Sequence, residues 1–450
     1  MKAPVARPFN SLLRALGFGV VLAAPMASQI AQADDLQHIF DMAAKNDPEI
    51  RQARARFNAT HTVVSQGRSF LLPTISATAN RSRDTQGPAS THSFANDFPT
   101  KGYGLSLRQA LVNFQAWYAY QSAKIGDESA SLTLAQSEQQ LILKVAQAYF
   151  NVLRSQANLS SFDAEEKAAQ QVLEQTRQRF DVGLVAITDV YDAQANADLA
   201  SVNKLVEENN LNQRLEALEA ITGQPHTDIA NLKADFPIEP VDPASMSEWV
   251  RLGQENNIAV KIAELDLAAK EQDAKSAKAE AWPKLDLSAT YNWRESNNPF
   301  SFFPSAPNEG SSVALNLTIP LYAGGLNSAR TRQAYYTRDA SEEALLKSQR
   351  DNTLNTRNAY RSVDTDVKAV AARAQAIVSA QSALEATQVG AEVGTRNIVD
   401  IVLSQRLLFQ AQRDHSNARF NYIIDTLTLK QAAGVLSPQD VIDLNQWLSE

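Results

Sequence analysis

Two periodicities divide the chain. In 283–294 the odd positions Leu285, Leu287, Ala289, Tyr291 and Trp293 are apolar or aromatic, while every even position from Lys284 to Arg294 is polar. Val313, Leu315, Leu317 and Ile319 alternate in the same way, as do Ile75, Ala77 and Ala79, and Tyr103, Leu105 and Leu107. Period-2 alternation over about ten residues predicts strands with one apolar and one polar face. Residues 85–101 and 295–311, rich in Pro, Ser, Asn and Asp, read as loops joining the strands into hairpins over about 73–111 and 283–321.

The second pattern is helical. Leu141, Ile142, Val145, Ala146, Tyr149, Phe150, Val152 and Leu153 form two adjacent i, i+4 seams. From about 113 to 181 there is no proline and a single glycine, Gly126. A helix of about 65 residues would run close to 100 Å at ~1.5 Å per residue. An element that long requires coiled-coil-like packing against others.

Both patterns occur twice. Ala169-Gln-Gln-Val-Leu-Glu-Gln-Thr176 lies against Ala380-Gln-Ser-Ala-Leu-Glu-Ala-Thr387, and Ala148-Tyr149 against Ala359-Tyr360. Val182-Gly183, Ile187 and Asp189-Val190 match Val393-Gly394, Ile398 and Asp400-Ile401. Pro73 opens one alternating stretch and Pro283 the other. An offset this long exceeds the 20–50 residues of solenoid repeats and marks a duplicated half-protein. The predicted organisation is a leader over 1–33, a first repeat over 34–223, a linker over 224–245, a second repeat over 246–433 and a C-terminal segment over 434–450.

The leader is predicted from Lys2, Arg7 and Arg14, the apolar run Ala15–Ala24 and the cleavage triplet Ala31-Gln32-Ala33. About ten apolar residues fall short of the ~20 that span a bilayer as a helix. Cleavage predicts an exported protein and moves the formal net charge from −8 to −11. That acidity argues against a nucleic-acid partner, because phosphate binding needs a basic face. With no cysteine, disulfides, thiolate metal sites, a cysteine nucleophile and an N-terminal lipid-anchored cysteine are all excluded. Glycine numbers 16, against roughly 31 at average usage, which favours long uninterrupted helices.

Strands of about ten residues suit a tilted outer-membrane strand, and their alternation fits a lipid face and a wet lumen. Four strands cannot close a barrel, and an open edge cannot face lipid. A membrane location therefore requires a barrel shared between chains; two hairpins on a soluble helical protein are the alternative.

The run Arg179-Phe-Asp-Val-Gly-Leu-Val-Ala-Ile-Thr-Asp-Val190, with Val393-Gly-Thr-Arg-Asn-Ile-Val-Asp-Ile401, resembles the TolC family of outer-membrane channel-tunnels. Ala148–Leu153, Leu71-Leu72-Pro73, and Pro320-Leu321-Tyr322 with Gly324-Gly325 are similar to that family as well. The resemblance spans the chain beyond the leader. It implies a mainly α fold with membrane β: a homotrimer whose subunits each give four strands to a 12-stranded β-barrel, continued as an α-helical coiled-coil barrel. It implies that 224–245 and 434–450 form an equatorial belt. A Gram-negative outer-membrane location extending into the periplasm follows, with a periplasmic adaptor and an inner-membrane transporter as partners.

Gly183 and Gly394 end long helices and are expected in the left-handed region. Asp189 and Asp400 then fall in the first turn of each returning helix, where a carboxylate complements the helix dipole. The resemblance further places Asp400 at a closed periplasmic aperture, where three carboxylates around an axis would select cations. It makes Arg396 a gate lock bonded to Thr188 and Asp189, and it makes Val182, Gly183, Leu184, Val393, Gly394 and Thr395 the adaptor-docking tips. Leu403 stands where the family carries a second acidic ring and Ala391 where it carries a tyrosine, so the closing contacts differ here. His38, His61, His92, His226 and His415 are scattered without metal-ligand spacing, and no nucleophile or phosphate-loop motif occurs. Neither cofactor, metal nor catalytic residue is expected. The expected function is a passive exit duct for tripartite efflux or type I secretion; a periplasmic coiled-coil scaffold or adaptor without a pore is the alternative.

Overall fold

The computed structural model describes residues 34–86, 96–296 and 307–449. The predicted leader and the distal parts of both hairpin loops lie outside them.

Each half runs helix, helix, strand, strand, long helix, shorter helix. The first half comprises α1 (Leu36–Asn46), α2 (Pro48–Ser69), β1 (Thr74–Gln86), β2 (Asn96–Val112), α3 (Phe114–Asp181) and α4 (Ile187–Thr222). A two-residue strand β3 (Asn231–Leu232) follows. The second half repeats the series as α5 (Met246–Asn256), α6 (Ile258–Ala279), β4 (Lys284–Ser296), β5 (Asn308–Thr318), α7 (Leu326–Glu392) and α8 (Ile398–Ala432). Helix α9 (Pro438–Asn445) and strand β6 (Leu448–Ser449) complete the chain, and β6 pairs with β3.

The duplication extends to capping chemistry. Asp47 accepts from the Glu49 and Ile50 N–H groups at the start of α2, and Asn257 accepts from Ala259 and Val260 at the start of α6. These caps satisfy donors that a helix start leaves free. Asp47 is fully buried, and Lys144 of α3 bonds it at 2.9 Å.

Helices α3 and α7 hold 68 and 67 residues, each about 100 Å long at ~1.5 Å per residue. Over one half of its length α3 packs on α4; over the other it packs on α2 and α6. All eight residues of the predicted double seam are buried, because α3 is covered on two sides at its midpoint. There Tyr149 and Phe150 anchor the core with residues of α1, α4 and α8, and the Tyr149 hydroxyl donates to the Ala230 carbonyl at 2.6 Å.

The four long strands form one antiparallel sheet in the order β1-β2-β4-β5, the halves meeting at β2–β4. They extend further than predicted: 85–101 and 295–311 are loop only in part, since β1 reaches Gln86, β2 begins at Asn96, β4 reaches Ser296 and β5 begins at Asn308. Apart from the buried Phe98 of β2, their distal ends carry mainly polar residues, which resembles loop composition, yet the ladder continues. Thr100 donates to Asp84 at 2.7 Å and Lys101 pairs with Glu295 at 3.8 Å.

Burial at the α3 midpoint sets a stability expectation. Phe150 is fully buried, so Phe150→Ala should cost about 3–5 kcal/mol, measured as a lowered unfolding midpoint. A loss below about 1 kcal/mol would show that α3 is not clamped there.

Candidate functional site

The register carries the strand alternation across all four strands in the rows around Leu107 and Ala289. Directly opposed residues share a face, and Ile75 opposes Leu107, Leu107 opposes Ala289, and Ala289 opposes Val313. Next to this apolar row runs a polar one, Ser76, Ser106, Thr290 and Ser312, joined by hydroxyl contacts of 2.7 Å (Ser76–Ser106) and 2.8 Å (Thr290–Ser312). Val313 remains 76% exposed, so among the described residues nothing covers the apolar face there. Aromatic residues gather at both ends: Tyr103 stacks tilted against Trp293 at 5.4 Å, and Phe114 meets Trp282 edge-on at 5.3 Å. Among the described residues no helix is long and apolar enough to cross a membrane.

At the opposite end of the molecule the two helical hairpins reverse. Gly183 and Gly394 have φ of 77° and 79°. In the first tip the Leu184 N–H reaches the Arg179 carbonyl (2.9 Å) and the Gly183 N–H that of Phe180 (2.8 Å). In the second, Thr395 reaches Gly390 (2.8 Å) and Gly394 reaches Ala391 (3.3 Å). Both are Schellman closures, which demand a left-handed residue at the glycine. Val182, Leu184 and Val393 are each at least 70% exposed.

The returning helices start on the predicted carboxylates. Asp400 accepts from the Asn397 N–H (3.2 Å) while Asn397 Oδ1 accepts from the Asp400 N–H (2.9 Å), a reciprocal capping box. Asp189 performs half of this, accepting from the Ala186 N–H at 3.1 Å, because Ala186 has no side-chain acceptor. Arg396 lies 3.9 Å from Asp400 within its own turn. Asp189, Arg396 and Ala391 line one cleft of about 690 Å³ between the tips. Within the chain no hydrogen bond joins Arg396 to Thr188 or Asp189 among the described residues, and Thr188 is exposed.

One residue that sequence reasoning missed holds Arg396 in place. A Cβ at Gly390 would fall 2.8 Å from Arg396 Cγ and 3.2 Å from Thr395 Oγ1, so Gly390 lets the arginine stem cross the last turn of α7. The Gly390 carbonyl also accepts from the Thr395 and Arg396 N–H groups. The available signal was its position four residues before Gly394.

Further along the same hairpin two carboxyls meet. Burial, then the neighbouring Asp425 of α8, push Asp366 of α7 up to about 6, with Arg373 opposing. One Asp366 oxygen is buried without a partner.

Long paired helices, a sheet with an apolar row running across all four strands and two reversed tips define a subunit of an outer-membrane channel. The chain belongs to the outer membrane efflux protein family, whose profile matches residues 39–224 and 249–435, one match in each half. It is 35% identical to the outer membrane protein TolC of Vibrio cholerae over 94% of this chain and 95% of that protein. It is 25% identical to the proteases secretion protein PrtF of Dickeya chrysanthemi, over 93% and 92%. Its fold matches the Campylobacter jejuni CmeC outer membrane channel with a TM-score of 0.77 at 15% identity, covering 98% of each chain. The protein is an outer-membrane exit duct of a Gram-negative envelope, and its family is one of transport proteins. Family membership decides between the duct and the pore-free scaffold.

Two outcomes check the local chemistry. Gly394→Ala forces an L-residue into the left-handed region at about 1–2 kcal/mol, so amide exchange should accelerate at residues 390–400 and stay unchanged at the α3 midpoint. The carboxyl pair gives a pH signature. An unfolded aspartate ionises near 4, whereas folded Asp366 keeps its proton to about 6. The pair therefore costs stability progressively from pH 4 to 6 and fully above it. Asp366→Asn should raise the melting temperature at pH 7.5 and leave it unchanged near pH 3.5; an equal shift at both would refute the pairing.

Proposed function

We propose that three copies of this chain close their four-stranded sheets into a 12-stranded barrel, with α2–α4 and α6–α8 continuing it as a helical tunnel into the periplasm. The two unpaired sheet edges, β1 and β5, carry this reading. Each presents a row of backbone groups that hydrocarbon cannot satisfy, and rotation about a threefold axis joins β1 of one copy to β5 of the next. The two aromatic ends support it. Trp282 sits in the turn just before β4, and Trp293 lies nine positions into that strand from Lys284, about 30 Å, or about 23 Å of height at a ~40° tilt, against an apolar band of ~25 Å.

The segments 224–245 and 434–450 meet through β3 and β6 and form the belt around the tunnel. The hairpin tips form its inner aperture. Asp400 faces the axis as one of three carboxylates, and Arg396, held beside the cleft that Asp189 also lines, locks the aperture by reaching Thr188 and Asp189 across a tip contact. The exposed groups at Val182, Gly183, Leu184, Val393, Gly394 and Thr395 dock a periplasmic adaptor, which joins the duct to an energised inner-membrane transporter. The duct itself is passive, performs no catalysis and needs no cofactor or metal. The name of the Dickeya relative, a protease secretion protein, extends the reading to type I secretion beside small-molecule efflux.

Conductance in planar bilayers tests the gate. Removing the carboxylate ring by Asp400→Ala should relieve block by divalent cations, and unchanged block would sink the assignment. Arg396→Ser should raise single-channel conductance. Gly390→Ala should raise it too by displacing the arginine, and conductance equal to wild type in both variants would reject the lock.

A further inference from the structure

The cleft of about 690 Å³ between the tips continues into a second of about 250 Å³ along the same hairpins. Thr176 and Arg179 of α3, Ala391 and Glu392 of α7, and Ile398 and Ile401 of α8 line both. These residues therefore form the waist between the two volumes. Thr176 is buried and its hydroxyl donates to the Val172 carbonyl at 2.7 Å, which fixes one wall of the waist on α3. Arg179 and Glu392 carry its charge. They stand on different hairpins, with opposite sign, and both are exposed. Among the described residues neither makes a side-chain hydrogen bond or ion pair. The other two charged residues of the larger cleft are engaged: Asp189 accepts from the Ala186 N–H at 3.1 Å, and Arg396 lies 3.9 Å from Asp400.

We propose that Arg179 and Glu392 form a latch across this waist, inside one subunit. As the tips draw together, the guanidinium closes on the carboxylate and ties the α3–α4 hairpin to α7–α8. The latch rests on the gate reading above and adds a contact that Arg396 does not make. The charge inventory favours it over a bound ion. The larger cleft holds two cations, Arg179 and Arg396, and two anions, Asp189 and Glu392. An ion of either sign would meet repulsion as well as attraction, whereas the two walls complement each other. Ala391 presents only a methyl group, so the waist stays open to the long arginine side chain. A guanidinium and a carboxylate can join through two parallel hydrogen bonds. One exposed pair holds weakly. A threefold aperture carries three of them, and contacts this weak suit a closure that must open.

The test uses the full chain assembled in outer-membrane vesicles. Spin labels are placed on Gln175→Cys of α3 and Gln388→Cys of α7, both in the lining of the smaller cleft, in a chain with no native cysteine. Labelled chains are diluted with unlabelled ones, so that each assembly carries one labelled pair. Pulsed EPR of this parent should show a short-distance population. Arg179→Glu and Glu392→Arg should each deplete it at least about threefold, and the two together should restore it. Raising salt from ~0.1 to ~1 M should deplete it in the parent too, because the screening length falls from ~10 to ~3 Å. Distances unchanged in both single variants, or a double variant that behaves like them, would overturn the latch. The conductance of Arg396→Ser reports on the gate separately, so raised conductance beside unchanged distances would remove this latch and leave the gate standing.

Discussion

A strand edge in hydrocarbon has no water to satisfy its backbone, and the sheet of this chain ends in two edges, β1 and β5, that no other described strand pairs. Four strands are too few to curl shut alone. Everything else about the subunit is compatible with a remedy supplied by copies of itself. The sheet keeps one apolar row unbroken from Ile75 through Leu107 and Ala289 to Val313. Both halves contribute one hairpin, and the seam between them, β2–β4, is already an antiparallel pairing of one repeat with the other. Joining β5 to the next subunit's β1 repeats that seam between chains.

The helices inherit their direction from the strands. Asn113 alone separates β2 from α3, and its side chain caps the helix by accepting from Ala116 at 3.0 Å. In the second half, Pro320 and the left-handed pair Gly324 and Gly325 make a longer turn from β5 into α7. Either way the long helix leaves the sheet without a globular interruption. A rod of about 100 Å must then bury its seam on neighbours, which is why the core concentrates at the α3 midpoint around Tyr149 and Phe150 rather than in a central globule.

Much of this architecture was legible in the sequence, for a physical reason. Strand alternation, helix seams and helix-stopping glycines are local signals, and duplication stated each of them twice. Gly183 and Gly394 show this best, since a Schellman closure leaves few other choices at that position. Where mainly polar residues made up the end of a strand, as around Asp84 and Thr100, composition mimicked a loop and the ladder's true ends were missed. Contacts across long sequence separations were not legible. Asp366 and Asp425 lie on different helices, and no pattern in either announces the other. Gly390 looked like an ordinary helical glycine until the path of Arg396 explained it.

The joined edges provide the most direct measurement, and the absence of native cysteine makes it clean. One cysteine fixed on β5 at Ser312, combined with cysteines scanned singly along β1, can form disulfides only between chains if the two edges meet at a subunit boundary. Oxidation in intact outer membranes should give a ladder ending at a covalent three-chain species, confined to a few adjacent β1 positions. Chains that remain monomeric at every β1 position, in membranes where the protein is folded, would contradict the shared barrel.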